Sequence, residues 1–180
     1  PAAITKGELT VEYQPVVRLD DGTVVGAEAL VRWDHPTMGR IGPDRFIPIA
    51  ESSGLIHDLG SFVLDDACRN AARWRELRPE VALTVAVNVS AAQLTDARLP
   101  ERVRAAVQRH HLDPATIALE LTESMIMDDT DSGHRRIGRL KATGALLAVD
   151  DFGTGYSSLA RLKFVPLDSV KVDRSFIEGI

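Results

Sequence analysis

Leu146-Leu147-Ala148-Val149-Asp150-Asp151 is a strand-length apolar run that closes on two adjacent carboxylates. A carboxylate taken out of water without a partner costs several kcal/mol, so a packed strand normally avoids one. The same departure recurs along the chain. Glu28 interrupts Val24-Val25-Gly26-Ala27-Glu28-Ala29-Leu30-Val31, Asn88 interrupts Val85-Ala86-Val87-Asn88-Val89, and Glu120 follows Ile117-Ala118-Leu119. Lys171 and Asp173 alternate with Val170 and Val172. Five strands with a polar residue, mostly toward their C-terminal ends, point to one shared centre. The C-terminal ends of the strands are where open α/β sheets and barrels bind ligands.

Around these runs the hydrophobic period alternates between strand and helix. Leu9 to Leu19 and Val24 to Trp33 read as strands joined by the turn Asp20-Asp21-Gly22, a hairpin signal. A loop rich in Pro and Gly is expected from Asp34 to Pro43. Helices are expected over Pro43 to Ser52 and Asp58 to Leu77, the second stopped by Pro79. Val81 to Val89, Ile117 to Thr122, Leu146 to Asp151 and Ser169 to Val172 read as further strands. Helical patterns cover Leu99 to Arg109 and Ser132 to Ala142, with Gly144 placed as a C-terminal cap. Strand and helix in alternation predict a parallel α/β fold. A count of six strands alone suits an open doubly wound sheet, because a (β/α)8 barrel typically takes roughly 250 residues. Polar residues converging from so many strands favour the barrel, in incomplete form.

Composition narrows the function classes. The 180 residues are 44% hydrophobic and 26% charged, which suits one globular domain spanning 1–180. A net charge of -5 and no long run of Lys or Arg argue against a partner of nucleic-acid duplex type. Cys68, the only cysteine, excludes an intrachain disulfide and reads as a small core residue. That composition suits a cytoplasmic location. No apolar run reaches ~18 residues and the N-terminus has no signal-peptide profile. The start at Pro1 reads as an excised segment, so a membrane anchor or sensor would belong to the parent chain.

The donors collected at the strand ends are carboxylates (Glu28, Glu120, Asp150, Asp151) and the amide of Asn88. Hard oxygen ligands select Mg2+, Mn2+ or Ca2+ rather than Zn2+. The five histidines have no metal-site spacing. Asp150 can bridge two ions, and two ions serve phosphodiester cleavage. Arg32 shares a strand face with Glu28 and Leu30, within reach of a phosphate oxygen. Lys171 suits orientation of an attacking water or stabilisation of developing charge. Singly, each feature has a plainer reading. Glu28 with Lys171 makes a structural ion pair, Asp150-Asp151-Phe152-Gly153 an Asx-type turn, and Asn88 a cap for the helix after Ser90. Gly153-Thr154-Gly155 suits a phosphate cradle weakly and a flexible loop better. Asp128-Asp129-Thr130-Asp131 reads as a solvated turn capping the next helix, His110-His111 as a helix end, and Trp33 and Trp74 as core or pocket wall.

These residues also carry a resemblance. Tyr13-Gln14-Pro15, Glu28-Ala29-Leu30-Val31-Arg32-Trp33, His35-Pro36, Pro43, Phe46-Ile47-Pro48, Ala50-Glu51 and Val87-Asn88-Val89-Ser90 occur in order. Glu120-Leu121-Thr122-Glu123-Ser124, Asp150-Asp151-Phe152-Gly153-Thr154-Gly155-Tyr156-Ser157-Ser158 and Lys171-Val172-Asp173 follow. In series they resemble the EAL domains over nearly the whole chain.

The resemblance implies a TIM-like (β/α)8 barrel whose first strand runs antiparallel, here without its last two strands. It implies hydrolysis of cyclic di-GMP to pGpG, dependent on Mg2+ or Mn2+ and inhibited by Ca2+. By position, Glu28, Asn88, Glu120 and Asp150 would hold a first ion, and Asp150 with Asp151 a second. Lys171 would engage the nucleophilic water, and Glu123 would anchor the loop Asp151 to Ser158, a dimerisation element. Gln14, Leu30, Arg32 and Pro43 resemble substrate contacts, and Asp173 a supporting acid. Family members continue past Ile180 with a Glu-Gly-Val-Glu block and a guanine-binding Gln. The resemblance further implies a homodimer and, in the parent chain, a diguanylate cyclase-like or sensor domain. The alternative expectations are an inactive cyclic di-GMP sensor and a dimerisation domain.

Overall fold

The computed structural model describes residues 2–126, 130–153 and 165–176. Its order is α1 (Ala2–Thr5), β1 (Leu9–Val17), β2 (Val24–His35), β3 (Gly39–Ile41), α2 (Pro43–Ser52), α3 (Ile56–Leu77) and β4 (Thr84–Asn88). Then follow α4 (Ala91–Thr95), α5 (Leu99–Arg109), β5 (Ile117–Thr122), α6 (Glu123–Ile126), α7 (Asp131–Lys141), β6 (Leu146–Phe152) and β7 (Ser169–Val172).

The strands form one mixed sheet in the order β1-β2-β4-β5-β6-β7, with β3 attached to β2. β1 runs antiparallel to β2, while β2, β4, β5, β6 and β7 are mutually parallel. This is the arc of a TIM-like barrel, with β1 and β7 at its two ends among the described residues. The opening hairpin is closed by its turn chemistry. Asp21 accepts the Thr23 N–H at 2.9 Å, the Arg18 N–H donates to the Thr23 carbonyl at 2.8 Å, and Gly22 takes φ 69. The strand therefore ends at Val17 rather than Leu19, which is fully exposed.

Alternation along each strand separates two faces. Val85, Val87, Ile117, Leu119, Leu121, Leu147 and Val149 are buried beneath the helices. They meet Val63, Ala67 and Cys68 of α3, Val103 and Val107 of α5, and Ile137 and Leu140 of α7. Burial pushes the Cys68 thiol up to about 12, so it behaves as a small apolar core residue. Tyr13 extends the helix contact to β1, donating from its hydroxyl to Asp66 of α3 at 2.6 Å and packing edge-on to Trp74. Trp33 packs edge-on to Phe46 in a smaller cluster under α2.

The segment expected as a loop from Asp34 to Pro43 contains a short strand. Gly39 turns at φ 68, and Gly39–Ile41 pairs back onto Trp33–His35. The helix after β4 is capped by Ser90, not Asn88: its hydroxyl accepts the Gln93 N–H and the Gln93 side chain accepts the Ser90 N–H. Thr130 caps α7, whereas Asp128 and Asp129 lie outside the described residues. Among the described residues, no helix is long and apolar enough to cross a membrane.

Candidate metal centre

The second strand face carries the polar residues. Glu28 on β2, Glu120 on β5 and Asp150 on β6 each present a carboxylate oxygen, and the three oxygens lie within 4.8 Å of one another. Parallel pairing sets their levels: Asn88 pairs with Glu120, and Thr122 pairs with Asp150. The Asn88 amide donates to Glu28 Oε1 at 2.9 Å, which turns its carbonyl oxygen away from that carboxylate. Lys171 on β7 enters the same ring. Its Nζ donates to Glu28 Oε2 and Glu120 Oε2 at 2.9 Å each, with Asp150 Oδ1 at 3.4 Å.

Electrostatics follow from that packing. Glu120 is raised to about 7: burial pushes it up most, Lys171 pulls it back down, and Glu28 and Asp150 add to the rise. Burial alone would lower Lys171, but Glu28 and Glu120 outweigh it and hold the ammonium above its ordinary range. Asp151 is also raised, by partial burial and then by Asp150 and Asp173. Three carboxylates around one ammonium leave excess negative charge, and the donors are hard oxygens. The set fits a hard divalent cation.

Asp151 stands apart in conformation. It takes φ 54, a left-handed value, where the β6–β7 register slips between Val149 and Phe152. Such a bulge turns Asp151 out of the strand alternation set by Val149 and Asp150. The segment is held from both sides. Glu123, buried at the start of α6, accepts the Gly153 N–H at 2.7 Å. Gly153 takes φ 104 and lies against the Phe176 ring, so any Cβ there would clash. Asp173 donates its backbone N–H to the Phe152 carbonyl at 3.3 Å, and its side chain caps the turn at Ser175. Thr154 to Ser158, the rest of the loop expected to serve dimerisation, lie outside the described residues.

Leu30, Arg32 and Pro43 border a cavity of about 490 Å³ that also touches Asn88 and Glu51. Gln14 does not border it; it pairs across the hairpin with Glu28. Two residues escaped the sequence reading. Glu12 on β1 accepts from Arg32 Nε at 2.9 Å and from Arg40 Nη1 at 2.6 Å, and Arg40 donates to both oxygens of Asp34 at 2.9 and 3.3 Å. The available signal was strand parity: Glu12 shares the face of Gln14, as Arg32 shares that of Glu28.

A partial α/β barrel with an acidic, lysine-centred cluster at the strand ends defines the class. The EAL domain family model matches residues 1–180, and the chain belongs to that family. It is 44% identical over 178 residues to the bifunctional diguanylate cyclase/cyclic di-GMP phosphodiesterase MucR of Pseudomonas aeruginosa, covering 99% of this chain and 26% of MucR. It is 47% identical to the cyclic di-GMP phosphodiesterase NbdA of the same species, covering 99% of this chain and 23% of NbdA. The chain thus spans about a quarter of the length of these relatives. Among solved structures, the PaMucR phosphodiesterase in complex with c-di-GMP superposes with a TM-score of 0.91 at 44% identity, covering 97% of this chain and 70% of that one. The EAL enzyme Bd1971 in its cAMP- and cyclic-di-GMP-bound form gives 0.86 at 30% identity, covering 98% and 48%.

Proposed function

We propose that this domain hydrolyses cyclic di-GMP to linear pGpG with Mg2+ or Mn2+ as cofactor. The observation that carries the reading is the convergence of Glu28, Glu120 and Asp150 oxygens around Lys171 Nζ. Its likeness to relatives named as cyclic di-GMP phosphodiesterases supports the choice of substrate. Glu28, Asn88, Glu120 and Asp150 would hold one ion, and Asp150 with Asp151 a second. Bound there, such ions supply Lewis-acid polarisation of phosphoryl oxygens and a more acidic water.

The remaining work falls to the chain's own groups. Lys171, kept charged by its carboxylate neighbours, orients the water and offsets charge building on the phosphoryl oxygens. The water oxygen forms a new bond to phosphorus as the bond to the ribose 3′-oxygen breaks. One water proton ends on that 3′-oxygen, and the other is released by the new terminal phosphate. Arg32, with Gln14, Leu30 and Pro43, holds the dinucleotide. Glu123 fixes the Asp151–Gly153 bulge, and Asp173 supports it from just past the end of β7. A homodimer through the segment after Asp151, and a diguanylate cyclase-like or sensor neighbour in the parent protein, complete the reading.

The test incubates the full-length protein with Mn2+ and cyclic di-GMP and follows pGpG by chromatography. Glu28→Ala is expected to lower turnover by roughly a hundredfold or more, the scale of losing one charge-stabilising group. Tight binding with no product from the wild type would replace this reading with that of a sensor.

A further inference from the structure

The ion-pair chain Asp34–Arg40–Glu12–Arg32 crosses three strands on the face that carries the acids. Glu12 on β1 stands opposite Leu30 of β2, and Arg40 on β3 pairs with Asp34 of β2. Arg40 therefore reaches past β2 to one Glu12 oxygen while Arg32 takes the other. Arg32 is further tied through Nη1 to the Val31 carbonyl at 3.0 Å. Its Nε edge is thus occupied, and Nη2 has no hydrogen-bond partner among the described residues. Arg32 borders the cavity shared with Leu30 and Pro43.

We infer that Glu12 and Arg40 are positioning residues that preset Arg32 to receive a phosphate oxygen of the cyclic dinucleotide. The inference rests on the proposed substrate. A free arginine side chain samples many rotamers, and an arginine fixed before the ligand arrives does not lose that freedom on binding. Glu12 and Arg40 are half exposed, with side chains 45% and 54% accessible, and such pairs add little to fold stability. Their consequence is geometric. Arg40 has a second role: it neutralises Glu12, which would otherwise place a bare carboxylate beside an anionic ligand.

Charge and geometry predict opposite signs for one substitution, which gives the test. Glu12→Gln removes a negative charge near the cavity, so charge alone would lower KM for cyclic di-GMP. Positioning predicts the reverse: KM rises about fivefold, a fraction of one charge-assisted hydrogen bond, with kcat moving much less. Arg40→Met raises KM by about two- to threefold. In an Arg32→Ala background Glu12→Gln no longer raises KM, because the group it positions is gone and only the charge effect is left. The measurements are steady-state hydrolysis by the full-length protein with Mn2+, beside unfolding midpoints that stay within the range expected for exposed pairs. An unchanged or lowered KM in Glu12→Gln overturns the assignment alone. So does an equal rise in the Arg32→Ala background. A wild-type protein that neither binds nor cleaves cyclic di-GMP overturns the assignment together with the reading beneath it.

Discussion

The two faces of the same strands obey different physics. On the helix side, Val85, Leu119, Leu147 and Val149 are shut off from water and need only volume and shape from their neighbours. One residue away, Glu28, Glu120 and Asp150 gather like charges that repel one another and would favour separation. The first face stabilises the fold on its own. The second is tolerable only with a cation, and in this structure Lys171 is that cation. Strand alternation lets the packed face hold the acids together, so the cost of the site is met one residue away from it.

The contrast can be broken from either side. Leu147→Ala, at a fully buried position, is expected to cost about 2–5 kcal/mol of unfolding free energy, measured by denaturant titration. Added Mn2+ should leave that difference unchanged, since no ligand is touched. Lys171→Met removes the resident cation and is expected to cost about 1–2 kcal/mol in metal-free protein, a partly exposed group losing several partners. Here Mn2+ should recover most of the loss. A Lys171→Met protein as stable as wild type without metal would mean that the carboxylates do not need the ammonium.

The two faces were also unequally legible in the sequence. Ile117–Thr122 and Leu99–Arg109 have the bounds their hydrophobic period predicts, because local pattern and tertiary burial agree there. Ser169–Val172 also has its expected bounds, but with Val170 and Val172 exposed it is held by pairing with β6. The acids were legible as violations of that same pattern. β3 was not, since Gly39–Ile41 has too few residues for a period and exists only through its pairing with β2. Val81 to Leu83 read as strand but precede β4, whose pairing with β2 begins at Thr84. The Glu12–Arg40 contact joins residues 28 apart across a strand, which no local spacing announces. Ser90 and Asn88 competed for one cap, and the Ser90-Ala91-Ala92-Gln93 capping-box spacing was the signal that favours the hydroxyl.

The smallest expected effect concerns protons. Glu120 carries a carboxyl raised from 4.5 to about 7, so between those values the folded chain binds a proton that the unfolded chain has released. Metal-free stability should therefore fall as pH rises through that window. Asp65 and Asp168 do not blur it: against the opposing pull of burial, Arg109 and Lys141 hold them below the ordinary carboxylate range, and their titration lies under the window. A cation must displace the Glu120 proton, so Mn2+ affinity should rise by up to about tenfold per pH unit below 7 and level off above it. Calorimetric titration between pH 5 and about 8 measures this. Lys171→Met sharpens the assignment, because Lys171 is the group pulling Glu120 downward. Its loss should carry the break in the affinity profile above 7, and a break that stays in place would mean that some other group sets it.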